Sequence, residues 1–151
     1  MITNPATASQ IISEMLTASD FHVNLHNHVQ FLRVTLRVRL HQGLWGPYLR
    51  YLMPLGCKAH LPAGGYFLWV KLPPRITHIQ VKEQIRQHEL GVNVGAGDLF
   101  FVPGVNHGDT HLTFVRLCFA HYSVDKLREA VVLLAKAIEY VIAAHDQDDA
   151  S

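Results

Sequence analysis

Apolar and polar positions follow two rhythms along this chain, and the change from one to the other falls near Cys57. In the first third, Phe21, Leu25, Val29, Leu32 and Leu36 recur at spacings of three and four, which puts them along one side of a helix. Asn4-Pro5 is an earlier helix start, because asparagine caps free amides and proline is preset for the first helical position; it predicts a short helix to about Thr17. Ser19-Asp20 restarts the chain with a second cap, and Gly43 and the Gly46-Pro47 pair mark where the long segment stops. Val34 to Leu40 alternates apolar and polar residues, which taken alone argues a strand. No turn signal separates that stretch from the helical stripe, so helix is the expected state. Tyr48, Tyr51 and Met53 read as core residues.

Beyond Cys57 the pattern is one of short strands and turns. Leu61-Pro-Ala-Gly-Gly65 is a turn, and Tyr66 to Leu72, closed by Pro73-Pro74, reads as a buried strand. Thr77-His-Ile-Gln80 has the spacing of a capping box and opens a short helix bounded by Val81, Ile85 and Gly91. Val92 to Val94 resumes as a strand, and Gly95 to Thr110 reads as a long loop apart from Leu99 to Val102. A further strand is expected over Thr113 to Ala120. Ser123 then caps an amphipathic helix whose stripe is Leu127, Val131, Leu134, Ile138 and Val141 or Ile142. The acidic end, 146–151, is expected to be a frayed tail. The sum is an α+β fold: a helical N-terminal third, then a small, mainly antiparallel sheet with helices packed on one side.

Composition narrows the function classes. A chain of 151 residues with 49% apolar and 17% charged residues can bury a core. A net charge of +1 with interspersed signs gives no electrostatic case for nucleic acid or an anionic membrane as partner. No apolar run approaches a membrane span, and the first residues lack the pattern of a signal peptide, so a soluble cytoplasmic chain is expected. Cys57 and Cys118 lack metal-type spacing and read as packing residues. Eleven histidines invite a metal site, yet His22 with His26, and His107 with His111, each lack a third ligand at a recognisable spacing. Phosphate-cradling, dinucleotide-binding and nucleophile-elbow motifs do not occur.

The position that needs explaining is Arg116, set in the middle of the apolar run Thr113-Phe-Val-Arg-Leu-Cys-Phe-Ala120. Arginine keeps its charge inside proteins, and a charge removed from water requires a partner of opposite sign. Asp109 precedes the strand and Asp125 follows in the next element. One reading pairs Arg116 with a structural carboxylate elsewhere in the fold. The other pairs it with a ligand carboxylate held side-on by the guanidinium fork.

The order of the pieces bears on that choice. Asn4-Pro5, the long segment with Arg33 and Arg37, Pro62-Ala-Gly-Gly-Tyr-Phe-Leu-Trp-Val-Lys-Leu-Pro73, Gly91-Val-Asn-Val94, Gly97-Asp-Leu-Phe100 and Val115-Arg-Leu-Cys-Phe-Ala120 follow one another in a familiar series. The chain resembles the C-terminal small domain of class I/II aminotransferases, the fold-type I enzymes that use pyridoxal phosphate, and most closely their 2-aminoadipate and aromatic branch. The resemblance covers Asn4 to about Val141. It departs at Ala96, where the family usually has proline before the glycine matched by Gly97, and at Arg33, Arg37 and Arg39, which are sparser than the family's run of arginines and an acid.

The resemblance implies that Arg116 grips the α-carboxylate of an amino-acid substrate and that Phe67 packs near it. It implies a domain over 1–145 that includes the interdomain helix. It also implies that the lysine that bonds the cofactor, and the groups that hold its phosphate, lie in a large domain upstream. None of Lys58, Lys71, Lys82, Lys126 and Lys136 stands in the family's serine-x-x-lysine context. The expectation is a half-site with no catalytic or cofactor-binding residue of its own, whose partners are the large domain, amino-acid and 2-oxo-acid substrates, and a second subunit in a homodimer. The competing expectation is a non-catalytic interaction domain with a salt-bridged Arg116.

Overall fold

A computed structural model describes residues 21–97 and 112–149, together with Gln10, Ser13 and Glu14. It divides into two compact units, 1–35 and 36–151. Helix α1 (Phe21–Val38) supplies most of what is described of the first unit. Its apolar side chains Val23, Leu25, Phe31, Leu32 and Val34 are exposed. Gln10, Ser13 and Glu14 are helical, within the stretch predicted to be a helix from Asn4; the caps at Asn4-Pro5 and Ser19-Asp20 lie outside the described residues.

The second unit begins with helical backbone that widens past Val38. Arg39–Trp45 and Tyr48–Leu52 carry i→i+5 hydrogen bonds, ended by Gly46 N–H on the His41 carbonyl and Met53 N–H on the Tyr48 carbonyl. A 3₁₀ turn, Met53–Leu55, closes on Gly56 at φ +91°. The predicted stops at Gly43 and Gly46-Pro47 are therefore overridden. At Gly43 the reason is contact with the last helix, α3 (Val124–Asp149): a Cβ there would stand 2.8 Å from Leu127 Cδ1 and 3.0 Å from Leu127 Cβ. The glycine is a point of close approach. Pro47 lies between the two wide segments with ordinary helical angles, φ −59° and ψ −38°. Of the residues expected in the core here, Tyr48 is buried, but Tyr51 and Met53 are exposed. The helical stripe that buries Leu40, Leu44, Tyr48 and Leu52 turns those two side chains outward.

The sheet contains β1 (Lys58–Ala59), β2 (Phe67–Lys71), β3 (Gly95–Ala96) and β4 (Phe114–Cys118) in the order β1-β2-β4-β3, every pairing antiparallel. The Tyr48 hydroxyl donates to the Cys57 carbonyl at 3.3 Å and accepts from the Ala59 N–H at 2.9 Å, joining the wide helical segment to β1. Leu68, Val70, Val115 and Leu117 point into a core shared with Leu127, Val131, Leu134, Ile138 and Val141 of α3. The apolar run expected as a buried strand is thus buried on alternate residues only, with Trp69 and Lys71 exposed, because helices cover a single face of the sheet. Val92 to Val94 do not form the predicted strand; pairing begins at Gly95, where the predicted loop was to start, since the register on β4 sets Gly95 and Ala96 opposite Arg116 and Val115.

Helix α2 (His78–Gln87) opens with the predicted capping box: Thr77 accepts from the Gln80 N–H and Gln80 Oε1 accepts from the Thr77 N–H at 2.9 Å. Positive φ at Glu89 and Gly91 turns the chain after it. Lys126 N–H reaches Ser123 Oγ at 3.4 Å, the cap expected for α3, and the helix runs on through Asp149.

Candidate functional site

Strand β4 sends Val115 and Leu117 to the core and Phe114, Arg116 and Cys118 to the face that, among the described residues, no helix covers. Arg116 stands there half-buried, with Trp69 of β2 and Gly95 of β3 as its partners across the ladders. Its Cζ lies 3.9 Å from the centroid of the Phe67 ring, so the guanidinium is a cation seated on an aromatic face. The same face carries Lys71, whose Nζ is 6.0 Å from the Phe114 ring, and Lys58 directly across from Lys71. The residues of the four strands include no carboxylate. The strand residues of the open face are therefore cationic and aromatic, and a guanidinium fork is the group that holds a planar carboxylate side-on.

A cavity of about 150 Å³ opens beside this arginine, lined by Asn93, Gly95, Arg116 and Tyr122 together with Leu127 and Leu134 of α3. Arg39 Nη1 donates to the Ala120 carbonyl, and Arg128 Nε donates to the Gln42 carbonyl at 3.0 Å, so these two arginines tie helical segments to the end of β4 and to α3. The two cysteines divide between the faces. Burial pushes the Cys57 thiol up to about 12, whereas Cys118 lies on the open face opposite Phe67.

The structure brings together the two residues named from the sequence, Arg116 and Phe67, as a stacked pair. Sequence reasoning missed Trp69, Lys71 and Gly95. A period-two reading outward from Phe67 would have found the first two. Gly95 had no such signal, because glycine argues against a strand. The lysines Lys58, Lys71, Lys82, Lys126 and Lys136 are all exposed. His107 and His111 lie outside the described residues. Among the described residues no group of three His, Cys, Asp or Glu side chains could hold a metal ion, and no helix is long and apolar enough to cross a membrane.

No family model matches the chain. It is 34% identical over 92 residues to an aromatic-amino-acid aminotransferase of Thermococcus litoralis, a match covering 60% of this chain and 20% of that protein. Among solved structures it resembles the multiple substrate aminotransferase of Thermococcus profundus, with 28% identity, a TM-score of 0.67, and coverage of 80% of this chain and 28% of the other. The α-aminoadipate aminotransferase of Thermus thermophilus shares the fold at 21% identity and a TM-score of 0.70, over 89% of this chain and 31% of its own. The chain spans about a fifth of the length of the curated relative it matches. Fold and sequence agree with the motif series: the chain resembles the small domain of fold-type I aminotransferases, on the side of the aromatic and aminoadipate branch.

Proposed function

We propose that this chain supplies the substrate-carboxylate clamp of a pyridoxal-phosphate-dependent aminotransferase, with Arg116 as the clamp and Phe67 as its support. The observation that carries the reading is the place of Arg116 on the uncovered face of the sheet, stacked on Phe67. Amino-acid donors and 2-oxo-acid acceptors both carry a carboxylate beside the reacting carbon, so one fork serves both halves of an amino transfer. Holding that carboxylate fixes the substrate's orientation, and a domain that swings closed with the clamp excludes water from the site.

Pyridoxal phosphate supplies the electron sink for such chemistry. The lysines of this chain are exposed on strands and helices, and none stands enclosed beside a phosphate-binding turn. The cofactor is therefore assigned to a large domain, which is the main partner in this reading. The exposed apolar side chains Val23, Phe31 and Val34 of α1 suit a segment that lies against another domain. We place the small domain with its interdomain helix at 1–145, with 146–151 as an acidic end in which α3 continues to Asp149 rather than fraying at 146, and read the whole enzyme as a cytoplasmic homodimer.

The test is Arg116→Lys in a chain that carries the large domain. The substitution keeps the charge and removes the fork, and kcat/KM should fall by about two to four kcal/mol, with cofactor binding and melting temperature nearly unchanged. A purely structural arginine gives the opposite pattern: loss of roughly three to five kcal/mol of stability and normal turnover of whatever folds. That outcome would move the chain to the class of non-catalytic interaction domains.

A further inference from the structure

Glycine is a poor strand residue, and Gly95 does not owe its place to the backbone, since positive φ is found at Gly56, Gly65 and Gly91 but not there. What a side chain at this position would meet is Arg116. A Cβ on Gly95 would lie 3.2 Å from the Arg116 carbonyl oxygen, 3.3 Å from its Cβ and 3.4 Å from Nε. The two residues are direct partners in the β3–β4 ladder, so they share a face of the sheet. On the far side of Arg116, β2 supplies Phe67. We infer that Gly95 is a positioning residue: its missing side chain is the slot in which the arginine stem lies, and this lets the guanidinium settle flat on the Phe67 ring.

A methyl group at Gly95 crowds the Arg116 Cβ at 3.3 Å and touches Nε, where the guanidinium plane begins, so the stem shifts and carries the plane off the ring. The N–H edge then points away from its former direction. The charge and the arginine itself survive the change, and the β3–β4 backbone gives by a few tenths of an ångström at the Arg116 carbonyl, so the main effect is one of aim. The inference deepens the carboxylate-clamp reading and rests on it for its functional consequence, though the geometric part stands alone.

The first measurement needs only this chain. Ring-current shielding by Phe67 should move the Arg116 guanidinium N–H proton resonances upfield, with assignment by their loss in Arg116→Lys. Gly95→Ala should abolish that shift, and so should Phe67→Leu, which removes the ring and leaves the slot open. The second measurement uses a chain that carries the large domain. Gly95→Ala should raise KM for the amino acid about tenfold with a smaller change in kcat, and should add nothing further to Arg116→Lys. Retention of the upfield shift in Gly95→Ala overturns the inference whatever turnover does. Loss of the shift with unchanged KM upholds the slot and overturns the clamp. An additive penalty in the Arg116→Lys background would show that Gly95 acts through something other than Arg116, and would also overturn the inference.

Discussion

On the covered face of the sheet, Leu68 and Val70 of β2 meet Val115 and Leu117 of β4, and all four side chains are buried. One residue along the same strands, the open face shows Phe67, Trp69, Phe114 and Arg116, none of them buried. Both faces are rich in apolar atoms, so hydrophobicity alone does not separate them. The kind of apolar residue does: aliphatic side chains fill the covered face, and flat rings line the open one. Rings tolerate partial exposure and give a cation a surface to lie on, which aliphatic groups do not. In the carboxylate-clamp proposal the aliphatic side belongs to stability and the aromatic side to recognition.

The contrast is broken most directly by truncating one residue on each face. Leu68→Ala should lower stability by about 2–5 kcal/mol, since a fully buried leucine leaves a cavity among close-packed neighbours. Trp69→Ala, next along the strand, should cost less than Leu68→Ala, because part of its area already meets water and its loss leaves no enclosed cavity. Denaturant midpoints read both, and equal losses would erase the distinction between the faces.

The thiols sharpen the comparison without touching packing. Near neutral pH, Cys118 on the open face should react with a disulfide reagent in the native chain. Cys57, buried and shifted from 9.0 to about 12, should react only on unfolding. The sign of its linkage follows: the raised thiol costs nothing below about pH 9, and stability falls as pH climbs from there towards 12. Two fast-reacting thiols in the folded chain would mean that the covered face is open to reagent.

The smallest effect belongs to the outer side of α2, which is neither face. Hydrogen bonds from Arg86 and Gln87 hold the Glu83 carboxyl down to about 2, against an ordinary 4.5. A lowered carboxyl adds stability above about pH 4.5 and loses it as pH falls towards 2. Melting curves of the native chain and Glu83→Gln should therefore differ slightly near neutral pH and converge in acid. This pair is exposed, so a large difference at neutral pH would be unexpected.

Much of this fold was legible because its signals are local. The Thr77–Gln80 box and the stripe of Leu127, Val131, Leu134, Ile138 and Val141 depend only on residues within a turn or two. Arg116 was legible as an anomaly, a permanent charge in an apolar run. What could not be read depended on partners distant in sequence. Gly43 looked like a stop because nothing nearby reveals that Leu127 will press against it. Gly95 looked like a loop residue because its strand exists only by pairing with β4. Trp69 looked buried because the run Tyr66–Leu72 does not say that only one face of its sheet will be covered.

One contact in the wide helical segment has a consequence for the border of the sheet. Strand β1 is the outermost strand on its side, and an outermost strand offers unmatched N–H and C=O groups that another chain can pair with. The Tyr48 phenol takes two such groups at once, the Ala59 N–H and the Cys57 carbonyl, in the place a further strand would occupy. A side chain from a helix thus stands in for backbone, and guards this border against edge-to-edge aggregation.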